Sequence, residues 1–255
     1  YNDLDALDQV LKRHAGNFAA VIMEPVAFTI PSPGYLEGVK ELAHKHGALF
    51  VMDEIVTGFR YRRGSAQAMF GVTPDLCSLG KGMANGFPIS VVAGRADVMK
   101  LMEEVFFSFT MGGEAVSLAA ANAVIDKIKA KNTLESIATR GASLLEGTRK
   151  LIAKHGLNDM MNVTGDPSWQ LITIKDVGAL SQWSLKTLWI QETARRGVLS
   201  IGIHFLGYSH TPEVVASALA AYDEALAVMK AAVDAKSTDG MLECEPLKPL
   251  FRVRS

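Results

Sequence analysis

The spacing of apolar and polar positions changes character near Asn132. Before that point, short apolar runs without alternation recur: Ala19-Ala20-Val21-Ile22-Met23, Ala48-Leu49-Phe50-Val51-Met52 and Leu76-Cys77-Ser78-Leu79. Runs of this length predict strands buried on both faces, as in a parallel sheet. The segments between them follow a helical period. Residues 1–14 read as a short helix capped by Asn2 or Asp3. Residues 35–46 repeat Leu36, Val39, Leu42 and Ala43 on one face and stop at Gly47. Pro31, Pro33 and Gly34 mark a loop, and Gly58 and Gly64 mark a longer one that leads to a short helix at 66–70. The run Ile89-Ser90-Val91-Val92-Ala93-Gly94 follows too soon for a crossover helix, so it predicts an antiparallel strand. A helix at 96–104, a glycine-ended loop at 106–113 and a long helix at 114–131 complete this half.

Beyond Asn132 the alternation of strand and helix stops. A helix at 133–155 ends at Gly156, a strand occupies 169–174, a helix at 181–196 is closed by Gly197, and a strand covers 198–206. Thr211-Pro212-Glu213 then opens a helix reaching about Val233, with cap, proline and acid each where a first turn favours them. The expectation is an α/β fold with a mostly parallel, partial central sheet over residues 1–131, followed by a smaller α+β domain over 132–255.

Composition narrows the function classes. The chain has 255 residues, 49% hydrophobic and 21% charged, enough for one or two ordinary cores. A formal net charge of -1 gives no electrostatic case for nucleic acid or an anionic membrane. No apolar run approaches the roughly 18 residues that span a bilayer. Two cysteines, Cys77 and Cys244, form no framework and suggest a reducing, cytoplasmic setting.

The candidate chemistry lies where the apolar runs end. The second run stops on Asp53-Glu54 and the third on Gly80-Lys81-Gly82. Ligands of open α/β sheets bind outside the carboxyl ends of the strands, so Asp53 and Lys81 are expected side by side at one crevice. A lysine at a buried strand end is costly unless neutralised or bonded, and covalent use of its amine meets that need. Taken alone, Gly-Lys-Gly also suits a solvated loop, and Asp53 a metal ligand or a cap. Ile55 points the same way as Asp53 if the strand persists. Thr110, just before the long helix, offers a hydroxyl near free N–H groups that suit a phosphate, or a simple cap. Glu24, Arg60 and Gln67 are weaker substrate candidates, and Glu54 reads as structural. His14, His44, His46, His155, His204 and His210 show no metal spacing. Lys81 is followed by Gly82 where a P-loop needs Ser or Thr.

The stretch Asp53-Glu54-Ile55-Val56-Thr57-Gly58-Phe59-Arg60, with Gly64-Ser65-Ala66-Gln67 and Gly80-Lys81-Gly82 after it, resembles fold-type I, class III pyridoxal-phosphate (PLP) aminotransferases, most of all the glutamate-1-semialdehyde aminomutase branch. The resemblance is specific over residues 1–127 and looser to about 235. It implies that Lys81 holds PLP as a Schiff base and shuttles a proton, and that Asp53 pairs with the pyridine nitrogen. Ile55 would pack on the ring. Of the weaker candidates, Gln67 suits a bond to the ring oxygen or a place in the pocket lining, and Arg60 suits a substrate carboxylate or, with Tyr61, Arg62 and Arg63, a solvated loop. It also implies a homodimer in which Thr110 reaches the partner's cofactor phosphate. Family members carry a longer N-terminal portion holding the phosphate loop and a stacking aromatic ring, so the chain alone is expected to be inactive. Three departures from the mutase branch favour a transaminase acting on a small carbonyl compound, a sugar derivative among the options, with the semialdehyde mutase as the alternative. Ala27-Phe28-Thr29-Ile30 follows Glu24-Pro25-Val26, Met83-Ala84-Asn85 thins the glycine run after Lys81, and Met111-Gly112-Gly113-Glu114 lacks an Asn-Pro pair.

Overall fold

The computed structural model describes residues 1–26, 29–62 and 65–248; expectations resting on Ala27, Phe28, Arg63 and Gly64 lie outside the described residues. The chain divides into two compact units, Tyr1–Glu135 and Ser136–Ser255.

The first unit is built on a four-stranded sheet, β1 (Ala20–Met23), β2 (Leu49–Asp53), β3 (Leu76–Leu79) and β4 (Val91–Gly94), in that spatial order. The first three strands are parallel, and β4 runs antiparallel to β3 as its short connection requires. Met23 pairs with Met52, Asp53 with Ser78, and Leu79 with Val91. Glu24, Asp53 and Gly80-Lys81 therefore leave the sheet along one edge.

Helix α1 (Leu4–Arg13) is capped by Asp3, whose carboxylate accepts the Ala6 N–H at 2.8 Å. Helix α2 (Tyr35–Lys45) buries Tyr35, Leu36, Val39 and Ala43, the stripe its period dictates. That stripe covers the face carrying Phe50, Met52 and Cys77, and each large side chain so buried contributes about 1.5–3 kcal/mol. The opposite face is half open. Ile22 is 67% and Val92 55% exposed, so the expectation of strands buried on both faces fails. An apolar run permits two-sided burial but does not supply the second layer.

Asp75 ties this sheet together. Its side chain is only 3% exposed. Oδ2 accepts the Phe50 N–H of β2 and the His44 Nε2 of α2, both at 2.7 Å. Oδ1 accepts Arg95 Nη1 at 2.9 Å. Burial pushes the Asp75 carboxyl up, but these three partners outweigh it and bring its pKa down to about 2. The stability contributed by this depressed carboxylate is present above about pH 4 and is lost as pH falls towards 2. Asp75→Asn is expected to lower the unfolding free energy by about 2 kcal/mol at pH 7, read from urea curves followed by circular dichroism. A change under about 0.5 kcal/mol would show the network to be incidental.

Helix α3 (Ser65–Phe70) is short, and α4 (Ala96–Met99) tightens into a 3₁₀ turn at Lys100–Glu103 where one helix over 96–104 is expected. Helix α5 (Ala115–Ala130) packs Ala121 against Met83 and Ala84.

Helix α6 (Thr133–Lys154) crosses the division between the units. The second unit contains an antiparallel sheet of β5 (Met161–Asp166), β6 (Trp169–Ile174) and β7 (Ile203–Phe205), with α7 (Gln182–Arg195) and α8 (Pro212–Ala235). Strand β5 is absent from the sequence reading, because Asn162, Gly165 and Asp166 are poor strand formers. Its identity comes from pairing with β6 through a tight turn, in which Asp166 Oδ1 accepts Ser168 N–H at 2.8 Å and Ser168 Oγ at 2.6 Å. Strand β7 is shorter than the expected 198–206. Gly202 has φ +91° and donates its N–H to Ser200 Oγ at 3.1 Å, so the chain turns before it pairs. Thr211 caps α8 and Pro212 opens it, as expected. Among the described residues, no helix is long and apolar enough to cross a membrane.

Candidate active site

Asp53 closes β2 half-buried, and two donors converge on one of its oxygens. Ser78 Oγ, from the paired position on β3, donates to Oδ1 at 2.9 Å, and the Ile55 N–H donates to the same atom at 3.0 Å. The Glu54 N–H also bonds the Ser78 carbonyl at 3.0 Å, which fixes the strand end in place. Among the described residues no donor reaches Asp53 Oδ2. The two donors thus hold one of its two oxygens.

Ile55 does not continue the strand, which ends at Asp53. Its position instead follows from the turn. The Ile55 Cδ1 atom lies where a side chain at Gly80 would come to 3.1 Å, so Gly80 is bare in order to admit it. At Gly82 a side chain would meet only ordinary contacts, 3.6 Å from the Gly58 carbonyl oxygen and Phe59 Cβ. Of the two glycines flanking Lys81, Gly80 leaves room for Ile55, beyond the ligand approach that the sequence suggested.

Lys81 follows β3 and begins the 3₁₀ turn Lys81–Met83. The residue is exposed, so the burial argument made for it from sequence does not hold. Its backbone is unusual instead, a feature shared with Asn2, Phe59, Ser65, Asn85 and Lys236. With φ +42° it occupies the left-handed region that non-glycine residues seldom adopt. Strain of this kind, on the order of 1–3 kcal/mol, clusters at functional sites.

The remaining candidates separate. Glu24 is exposed at the end of β1, next to Asp53 along the same edge. Glu54 is fully buried and accepts Thr57 Oγ1 and the Ala66 N–H at 2.8 Å and the Gln67 N–H at 3.2 Å, the structural role expected of it. Arg60 folds its Nε onto the Val56 carbonyl at 3.1 Å. The Gln67 backbone N–H is held by Glu54, and the residue lines a cavity with Phe59, Arg62, Ser65 and Leu79. Thr110 lies in an exposed turn and does not start α5. Glu114 is the cap. Its carboxylate accepts the N–H groups of Val116 and Ser117 at 2.6 and 2.8 Å, so the helix end already holds an anion. Sequence reading missed Ser78. A hydroxyl inside an apolar run was the signal, but only the strand register shows that it faces Asp53.

The family model for class-III aminotransferases matches residues 2–204. The chain belongs to the class-III aminotransferase family. A 3-aminobutyryl-CoA aminotransferase of Cloacimonas acidaminovorans (strain Evry) is 34% identical over 90% of this chain and 57% of its own length. A glutamate-1-semialdehyde 2,1-aminomutase of Syntrophobacter fumaroxidans is 40% identical over 62% of this chain and 38% of its own length. The chain therefore spans roughly two-fifths to three-fifths of these relatives. Among solved structures, the PLP internal aldimine form of the Sphingopyxis sp. MTA144 FumI protein superposes with a TM-score of 0.84 at 27% identity, over 92% of this chain and 57% of that one. The acetylornithine aminotransferase of Elizabethkingia anophelis gives 0.77, also at 27%, over 89% of this chain and 59% of that one. The fold of this class-III family member is that of the fold-type I transaminases, with the mostly parallel sheet in the first unit and the antiparallel sheet in the second.

Proposed function

We propose that the chain forms part of a PLP-dependent aminotransferase, in which Lys81 carries the cofactor and an amino group is moved onto a small carbonyl substrate. The observation that carries this reading is that a strained Lys81 follows β3 while a half-buried Asp53 closes the paired strand β2 at the same edge of the sheet. The residues present fit the group: an accessible amine, a carboxylate with one oxygen held and the other open, and a side chain, Ile55, folded over the bare Gly80. PLP, when bound, supplies an electron-withdrawing ring that stabilises negative charge at the substrate carbon. Lys81 Nζ would hold the cofactor covalently and, once released, take up and return the proton at that carbon. Asp53 Oδ2 would pair with the ring nitrogen and keep it cationic, and Ile55 would bear on the ring face.

Thr110 would serve the phosphate of a second copy of the chain. Support comes from its setting, an exposed loop with Phe106, Phe107, Phe109 and Met111, each more than half exposed, which suits an interface. Transfer between two molecules is the first reading, because the relative that spans most of the chain is named as an aminotransferase. An intramolecular shift is the second, favoured by 40% identity to the aminomutase over 164 residues.

The test is borohydride reduction after incubation with PLP, followed by peptide mass analysis. It uses the longest natural polypeptide that contains this sequence. A pyridoxyl adduct on the Lys81 peptide is expected. The 255-residue chain alone, with one sheet face half open, is expected to give little. A folded, PLP-exposed protein without adduct at Lys81 would remove the reading.

A further inference from the structure

The convergence of two donors on Asp53 Oδ1 goes beyond what the proposed function requires. A carboxylate at a strand end could turn freely about its last bond, presenting either oxygen or both. Here the Ile55 N–H at 3.0 Å and the Ser78 hydroxyl at 2.9 Å reach the same atom from two directions. The first donor is a backbone group that every residue at position 55 would supply. The second depends on a side chain. Ser78 sits opposite Asp53 in the β2–β3 register, and its carbonyl is also held by the Glu54 N–H at 3.0 Å. Both ends of the residue are therefore tied to the turn that carries Asp53. Ser78 occupies a place in an apolar run, Leu76-Cys77-Ser78-Leu79, where packing alone would favour an aliphatic residue.

We propose that Ser78 is a positioning residue for Asp53: its hydroxyl fixes Oδ1, which directs Oδ2 towards the cationic ring nitrogen of the cofactor. The proposal rests on the PLP reading above. Ser78 acts through Asp53 and touches no reacting atom. A carboxylate whose geometry is fixed beforehand loses less on binding.

The expected result is a double-mutant cycle with strong coupling. PLP dissociation constants are measured by absorbance titration on the longest natural polypeptide, for the wild type, Ser78→Ala, Asp53→Asn and the double variant. Ser78→Ala is expected to weaken PLP binding about tenfold when Asp53 is present, the effect of losing one hydrogen bond to a charged group. In the Asp53→Asn background the same change should matter by less than about twofold, because the group it positions has lost its charge. Ser78→Thr keeps the hydroxyl and should restore binding to near the wild-type value.

Equal loss in both backgrounds would overturn the proposal, since it would show a structural effect independent of Asp53. So would a Ser78→Ala protein that binds PLP as the wild type does. Failure of the underlying reading is distinguishable, because the wild type itself would then take no pyridoxyl adduct at Lys81.

Discussion

Lys81→Ala is expected to lower turnover by about 10³-fold or more, the range in which a positioned proton-transfer group acts, with the covalent step lost as well. Lys81→Arg should fare no better, because a guanidinium keeps the charge but cannot give up its proton near neutral pH to act as a nucleophile. Neither change should unfold the protein. The side chain is exposed, so no core contact is removed, and alanine meets the same left-handed strain at φ +42° that lysine does. Turnover should be compared with far-UV circular dichroism on the longest natural polypeptide, using an amino donor found by screening the wild type. A Lys81→Ala protein that keeps a tenth of the wild-type rate would place the reactive amine elsewhere.

The second large effect is on acid stability and belongs to the other unit. His204 on β7 is 8% exposed, stacks on Tyr222 of α8 at 5.7 Å between ring centroids, and meets the Tyr222 hydroxyl through Nε2 at 2.7 Å. Burial, with a smaller push from His210, brings its pKa down from 6.5 to about 4. The folded state therefore holds the ring neutral, while the unfolded chain protonates it below about pH 6.5. Stability is full above that pH and falls as the solution is acidified from 6.5 to 4, by up to about 3 kcal/mol. All three tryptophans, Trp169, Trp183 and Trp189, lie in this unit, so their fluorescence reports its unfolding. Urea midpoints should drop steeply between pH 7 and pH 4.5 in the wild type and much less in His204→Gln. A wild-type midpoint that stays flat over that interval would mean that His204 takes up a proton as readily in the folded state as in the unfolded chain. Asp75 acts in a separate window, below about pH 4, so the two groups can be told apart by titration.

Particular elements show how far the chain could be read unaided. The stripe of α2 was legible because Leu36, Val39 and Ala43 repeat at the helical period, and the cap of α8 because Thr211-Pro212 leaves little choice. Strand β5 was illegible because Asn162, Gly165 and Asp166 argue against a strand one residue at a time, and only β6 overrides them. The N–H groups that the sequence placed beside Thr110 belong to a helix that starts after Glu114, whose own carboxylate holds them, so the phosphate role proposed for Thr110 rests on its hydroxyl alone.

For the candidate site, the sequence by itself singled out the two candidate residues: an acid and an amine, each ending an apolar run, at Asp53 and Lys81. It also determined that their strands run parallel, since unbroken runs joined by helices pair in that way. The tertiary structure alone decided how those groups are held. Strand register set Ser78 opposite Asp53, chain tracing set Ile55 over Gly80, and the turn after β3 put Lys81 into a left-handed backbone while leaving it exposed. The physical reason is range. Periodicity and capping act within a few residues, whereas register, strain and the choice between two carboxylate oxygens depend on contacts between segments far apart in the chain.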